Sequence, residues 1–450
     1  MKIAHFCDLW GYRTSVSPTA VRRLLTHPRV FVSLLVLVAL VLPLGVLAHG
    51  RNDAVRTDRA WLAADPPGRT TLVRNTTDAD FAAGTARGTR YADGTLTFAS
   101  PIRSRTVAGR RYEVARWTSG WVAPGQSFTQ LVPSWSARTP AGSWIQVLVR
   151  ARDTAGRASA FKDLGRWSSG DRLFRRTSAG AQADAVARAA TDTLLAQAGV
   201  RLTGYQVRVQ LMRLPGHAGP ALQSVSAAVT LPLDALPATS SPLSTAPVTL
   251  AVPGYSQMIH RGQNPEYGGG GEAWCSPTSL AMVLSYYGRL PAPASYRWVK
   301  ASYADRWVNQ VARLTYDYRY RGTGNWPFNT AAAASRLTDA FVTRLTDLRM
   351  AEPFLRAGIP LVVSIRFARG QLAGAPISAS AGHLVVLAGL TATGDSVVMD
   401  PAAASDATVR RTYDRAQFER AWLGGSAGMA YVLRDAAHPL PAPPAGVRAW

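Results

Sequence analysis

Apolar and polar residues alternate one by one through much of the first half of the chain. In SWIQVLVRARD (143–153), Ile145, Val147, Val149 and Ala151 share one face, and Gln146, Arg150 and Arg152 share the other. In TGYQVRVQLMR (203–213), Tyr205, Val207, Val209 and Leu211 oppose Gln206, Arg208 and Gln210. A period of two, bounded by Gly, Pro and Asp, predicts half-buried antiparallel strands. TLTFAS, RYEVARW and LQSVSAAVT read the same way. Residues 52–235 are therefore expected to form a mainly β, sandwich-like domain. Trp117, Trp121, Trp135, Trp144 and Trp167 fall within it. They fill its core or form a carbohydrate platform, and core is the expectation.

Residues 236–247 (LPATSSPLSTAP) carry no apolar periodicity. That is linker composition, and it predicts two independently folding units. From 248 onward the pattern changes. VTLAVPGYSQ predicts a short strand ending at Gln257. In SPTSLAMVLSYYG, Leu280, Val283, Leu284 and Tyr287 recur at helical spacing, with Gly288 as the stop. Helices are expected around 294–312 and 330–345 and over RTYDRAQFERAWL, and strands over IPLVVSIRF, GHLVVLAGL, SVVMDP and AYVLR. Helices followed by an antiparallel sheet give residues 248–436 an α+β order. A Pro-rich tail, 437–450, ends the chain.

The N-terminus changes the setting. Arg22, Arg23 and Arg29 precede an uncharged stretch, 30–48, which ends in Val46, Leu47 and Ala48. Basic, apolar and small-residue regions in that order read as a secretory signal peptide. The same 19 residues are long enough to be a membrane anchor. Pro43 and Gly45 favour cleavage after Ala48, and residues 1–48 are assigned as signal peptide or anchor. The protein is expected to be secreted or to sit on the extracellular face of the cytoplasmic membrane.

Net charge is +23, almost all of it arginine, since Lys2, Lys162 and Lys300 are the only lysines. The arginines are scattered and never form a basic run, so nucleic acid is not an expected partner. Attraction to an anionic cell-envelope polymer is the expected consequence of the charge.

The chain has two cysteines, Cys7 and Cys275. With Cys7 in the segment to be removed, Cys275 has no internal partner in an oxidising compartment. A leftover thiol there is a reactive nucleophile, an intermolecular bridge, or a buried small hydrophobe. Cys275 stands just ahead of Ser276, Pro277 and Thr278 at a helix start, where free N–H groups and the helix dipole favour a thiolate. The glycines at 268–271 suit a tight loop beside it. Downstream, His383 opens the strand HLVVLAGL, whereas His438 lies in the Pro-rich tail. Asp400 ends the next strand, across a turn containing Asp395, so two antiparallel strands would carry His383 and Asp400 to one sheet edge. A base needs such an orienting carboxylate. Gln257 is the candidate side-chain oxyanion donor. No cluster of His, Cys and acidic residues has ligand spacing, so neither metal nor cofactor is expected.

The segments VPGYSQ, WCSPTSLAMVLSYYG, AGHLVVLAGL, MDPAA and RTYDRAQFERAW resemble the family thirty-nine cysteine peptidases, papain-like relatives of the domain that trims bacteriocin leaders. The likeness covers about 250–434 and is greatest to stand-alone, secreted members from Gram-positive bacteria. It implies an α+β papain-like fold with Cys275 as nucleophile, His383 as general base and acid, Asp400 as orienter and Gln257 as oxyanion donor. Ser276 stands where the family usually has glycine, which would crowd an oxyanion hole. Gln257 and Cys275 are separated by 17 residues, a longer interval than in the transporter-linked peptidases. No ATP-binding cassette or multispan membrane region follows within these 450 residues, so a leader-peptide substrate is not implied.

The expected function is that of a cysteine hydrolase cleaving an amide bond in a peptide, a protein or a peptidoglycan stem peptide. Two alternatives remain at this point. One is a non-catalytic envelope-binding protein on a papain-like scaffold. The other is a cell-wall endopeptidase of the NlpC type.

Overall fold

The strands predicted by alternation form where the pattern puts them. The computed structural model describes residues 70–450, so the signal or anchor segment and the first residues of the β-rich domain lie outside the described residues. Strands Ser143–Asp153 and Leu202–Arg213 pair along their full length. Ile145, Val147 and Val149 face inward and are fully buried. Among the described residues the N-terminal part holds two antiparallel sheets, one of eight strands and one of six. Trp135 of the first sheet reaches Gly165 of the second, where an added Cβ would meet its ring at 2.7 Å. The two sheets thus pack face to face over one core. Trp117, Trp135, Trp144 and Trp167 are buried, as core residues should be, whereas Trp121 is 36% exposed.

The C-terminal part is a seven-stranded antiparallel sheet with helices packed on it. The helix read over 330–345 is two elements: helix Trp326–Ala334 and strand Asp339–Arg344. Every residue of that strand is buried, so its sequence does not alternate and imitates a helix. It is an edge strand that pairs with Met429–Arg434 alone. Its open edge is covered by the β-rich part, with Val342 N–H donating to Ser134 Oγ and Arg74 clamping Asp339 through two hydrogen bonds of 2.6 and 2.9 Å. Covering an edge in this way removes a site for wrong pairing. RTYDRAQFERAWL also divides, into strand Arg410–Tyr413 and helix Arg415–Ser426 capped by Asp414. The stretch 294–312 contains a short 3-10 turn, Pro293–Tyr296, and helix Arg306–Thr315.

The two parts share a core. Phe328 of helix Trp326–Ala334 packs against Trp135 and Trp167, with ring centroids 6.1 and 5.4 Å away. The buried Arg176 donates to the Arg313 carbonyl at 2.6 Å and to the carbonyls of Ser168 and Ser169. Residues 236–247 are held in place: Ser240 hydrogen-bonds Glu419, and Arg415 donates to the Ser240 carbonyl. The tail touches both parts: Leu72 N–H of the β-rich part donates to the Arg448 carbonyl at 2.7 Å, and Trp450 packs on Phe354 of the C-terminal part. The described residues, 70–450, accordingly fall in one compact unit. Among the described residues no helix is long and apolar enough to cross a membrane.

Candidate active site

Cys275 is the first residue of helix Cys275–Tyr286, whose N-cap, Trp274, offers no side-chain acceptor. The amides of the first turn are thus left to the thiol and its surroundings. Helix and loop are fixed from several directions. Trp274 is buried and donates its indole N–H to the Tyr267 carbonyl at 2.7 Å. Gly271 lies against the Gln257–His260 turn so closely that a Cβ there would meet the Gln257 carbonyl at 2.4 Å. Ser279 Oγ donates to the Leu384 carbonyl at 3.0 Å, which ties the helix to the strand that carries His383. Gly288, with φ of 64°, ends the helix as its sequence position predicts.

His383 lies on strand Ser380–Leu390, opposite Ile365, and is buried. Its Nε2 is 2.7 Å from Asp400 Oδ1, which leaves Nδ1 for the thiol on the other side of the ring. Asp400 directly follows strand Ser396–Met399 and is fully buried. The two strands pair antiparallel, as the intervening turn predicts. Asp400 Oδ1 also accepts from Ala402 N–H at 2.9 Å, and Oδ2 accepts from the Tyr413 hydroxyl at 2.7 Å.

These contacts set the charges. Burial opposes ionisation of Asp400, but the His383 charge and the hydrogen bonds from His383 and Tyr413 hold it below the usual carboxylate range. Burial would also discharge His383, yet Asp400 and the thiol on either side raise it to about 10. Burial alone would push the Cys275 thiol up. The hydrogen bond and charge of His383, with the amides of Leu384 and Ser276, bring it below its ordinary value. Both shifts act in the direction that favours a thiolate–imidazolium pair. Tyr413 is pushed far up by burial and by the Asp400 charge, so it stays protonated and donates.

The structure brings Cys275, His383 and Asp400 together. Gln257 is placed differently from the strand end that its sequence predicts. The strand there is only Val248–Thr249, and Gln257 precedes the 3-10 turn Met258–His260. Gln257 joins the two loops of the site: its backbone N–H donates to the Pro401 carbonyl, and its Nε2 donates to the Glu272 carbonyl, both at 2.8 Å. One of its two amide protons remains for other use. The Ser276 hydroxyl lies 3.2 Å from the buried Tyr431 hydroxyl and hydrogen-bonds it. Sequence reasoning missed Tyr413 and Tyr431. Tyr413 lies in RTYDRAQFERAW, where the helical reading of the whole stretch concealed it.

In class this is a peptidase-like protein with a thiol at its site. Residues 249–427 match the family model described as the peptidase C39 like family, and residues 71–230 match the one described as the peptidase C39 N-terminal domain. The resemblance read from the motifs over 250–434 is thus met by the match over 249–427, whereas the match over 71–230 lies in a part where no family resemblance was read. Among solved structures, a protein described as a C39-like peptidase from Bacillus anthracis is 18% identical. That match covers 42% of this chain and 98% of the other, with a TM-score of 0.27. A family two carbohydrate esterase from Cellvibrio japonicus is 14% identical over 38% of this chain and 37% of its own, with a TM-score of 0.18. No curated protein matches.

Proposed function

We propose that the chain is a thiol-dependent hydrolase of papain-like architecture that transfers an acyl group from an amide to water. The observation that supports this best is the buried His383, with Asp400 at Nε2 and the helix-start thiol on the other side of its ring. The Cys275 thiolate attacks the amide carbonyl. The oxyanion forms beside the first-turn amides, and the second amide proton of Gln257 is the side-chain donor. His383 passes its proton to the leaving amine, then takes one from the water that resolves the acyl-enzyme. The substrate class is a peptide, a protein or a peptidoglycan stem peptide. The protein works outside the cytoplasmic membrane, after cleavage of segment 1–48 or anchored by it, and its β-rich domain meets an anionic polymer of the envelope.

The test is labelling of the purified chain with a thiol-reactive acyl probe, followed by digestion of peptide libraries and cell-wall fragments. Labelling confined to Cys275, with turnover lost in Cys275→Ala, is expected. A folded wild type that neither labels nor cleaves would leave the scaffold reading in its place.

A further inference from the structure

The alternation that buries Ile145, Val147 and Val149 turns Arg150 and Arg152 to the outer face of the six-stranded sheet. Neighbouring strands add Arg208, Arg116, Arg103 and Arg105 to the same face. Cross-strand register sets Arg150 opposite Gln206, and Arg116 opposite Gln210.

These guanidinium groups are held without being neutralised. Gln206 Oε1 accepts from Arg150 Nε at 2.8 Å, Gln146 Oε1 from Arg105 at 3.1 Å, and Gln210 Oε1 from Arg103 at 3.3 Å. Arg150 and Arg152 lie over the Trp121 ring at 5.0 and 5.1 Å. Arg150 and Arg208 lie over Phe161 at 4.7 and 3.8 Å. Among the described residues none of the six makes an ion pair with a carboxylate, whereas Arg74, Arg213 and Arg313 each find one. The carboxylate on this face, Asp163, is buried and already taken by Arg166 and Gln146. Burial, followed by repulsion from Arg116, Arg150 and Arg103, lowers Arg208 to about 10. Like charges held this close cost free energy that an anionic partner recovers.

The face also discriminates among anions. The face of a six-stranded sheet is too broad to enter a duplex groove as a helix or a two-stranded ribbon does. Single-stranded nucleic acid stacks its bases on open aromatic faces, and on this face guanidiniums already stack on the rings of Trp121 and Phe161. Rows of planar forks suit repeated phosphate groups. We propose that the outer face of the six-stranded sheet is a docking surface for a phosphodiester-linked polyol chain, a polymer with a phosphate at each repeat and no bases. This deepens the envelope reading above and rests on it for location. Binding is measured without peptidase activity, so the two readings fail separately.

The probe is poly(glycerol phosphate), titrated against the chain at several salt concentrations, with oligothymidylate in parallel. The variant Arg103→Gln/Arg116→Gln/Arg152→Gln should bind at least tenfold more weakly near 0.1 M salt. Its log-affinity against log-salt slope should be shallower by about 2, or roughly 0.7 for each phosphate that is no longer neutralised. A control with the same charge loss, Arg289→Gln/Arg369→Gln/Arg420→Gln, should bind like the wild type. Thiol labelling at the wild-type rate in both variants reports an intact fold. The proposal is overturned if the wild type does not bind poly(glycerol phosphate), if both triple variants weaken equally, or if oligothymidylate binds more tightly.

Discussion

Tyr413 donates its phenolic hydrogen to Asp400 Oδ2 at 2.7 Å, while His383 Nε2 holds Oδ1 of the same carboxylate at 2.7 Å. The carboxylate is therefore held from both ends in a place where water does not reach it. Tyr413→Phe keeps the ring and removes the donor. A hydrogen bond to a charged group contributes about 1.5–3 kcal/mol, so turnover should fall roughly tenfold to a hundredfold. Without that bond Asp400 is easier to protonate and supports the imidazolium less. The alkaline limb of the pH–rate profile, set by His383 near 10, should move down. A profile with an unmoved limb would remove Tyr413 from the positioning role.

The thiol and imidazole make a second prediction. Cys275 is shifted down and His383 up, so the reactive ion pair forms as pH rises through the lowered thiol value and is lost as His383 deprotonates near 10. The alkylation rate of Cys275 should inflect below the free-thiol value of about 8.5. In His383→Ala both the hydrogen bond and the charge are gone, burial dominates, and the inflection should move above that value. An inflection that is the same in both proteins would mean that His383 does not ionise the thiol.

How far the sequence could be read depends on how each segment is buried. Ser143–Asp153 and Leu202–Arg213 were legible because one face of their shared sheet is core and the other carries polar groups. Asp339–Arg344 was not, since both of its faces are buried, Ala340 and Val342 in one core and Phe341 in another, and alternation disappears. Helix Leu348–Arg356 went unread because Pro353 sits inside it, although Asp347 caps Met350 N–H in the ordinary way. Cys275, His383 and Asp400 were legible from order and element boundaries. Tyr413 and Tyr431 were not, because a buried tyrosine near a site looks like any core aromatic until its hydroxyl partner is known. Linker composition at 236–247 likewise says nothing of Glu419 and Arg415, which pin it.

The shared core predicts coupled unfolding. Phe328 is fully buried between Trp135 and Trp167, and truncating a buried Phe costs about 3–5 kcal/mol. Phe328→Ala should lower the melting temperature of one transition that involves both parts. A fragment starting at 248 would expose Phe328, Trp326 and the edge strand Asp339–Arg344, and should bind a hydrophobic dye strongly. Calorimetry of the full chain with two separated transitions, only one of them moved by Phe328→Ala, would show that the parts unfold independently.

The last prediction separates the orienting carboxylate from the oxyanion donor by which step each one touches. Asp400 acts on the resting enzyme through His383, so Asp400→Asn should slow thiol labelling as well as turnover. Loss of the corresponding carboxylate in a serine triad costs about ten-thousandfold. The cost here should be smaller, on the order of a hundredfold, because the thiolate is formed before substrate arrives. Gln257 acts on charge that develops only in the transition state. Gln257→Ala should lower turnover by about a hundredfold or more and leave thiol labelling near the wild-type rate. Because Gln257 also bridges the Cys275 and Asp400 loops through Glu272, Gln257→Glu serves as a second variant. It keeps the size of the side chain but has no amide proton for either the Glu272 carbonyl or the oxyanion, so it should fail in turnover as Gln257→Ala does. The melting temperature of each variant checks that the loops have not come apart. If folded Gln257→Ala loses labelling and turnover in equal measure, Gln257 is holding the loops and is not an oxyanion donor.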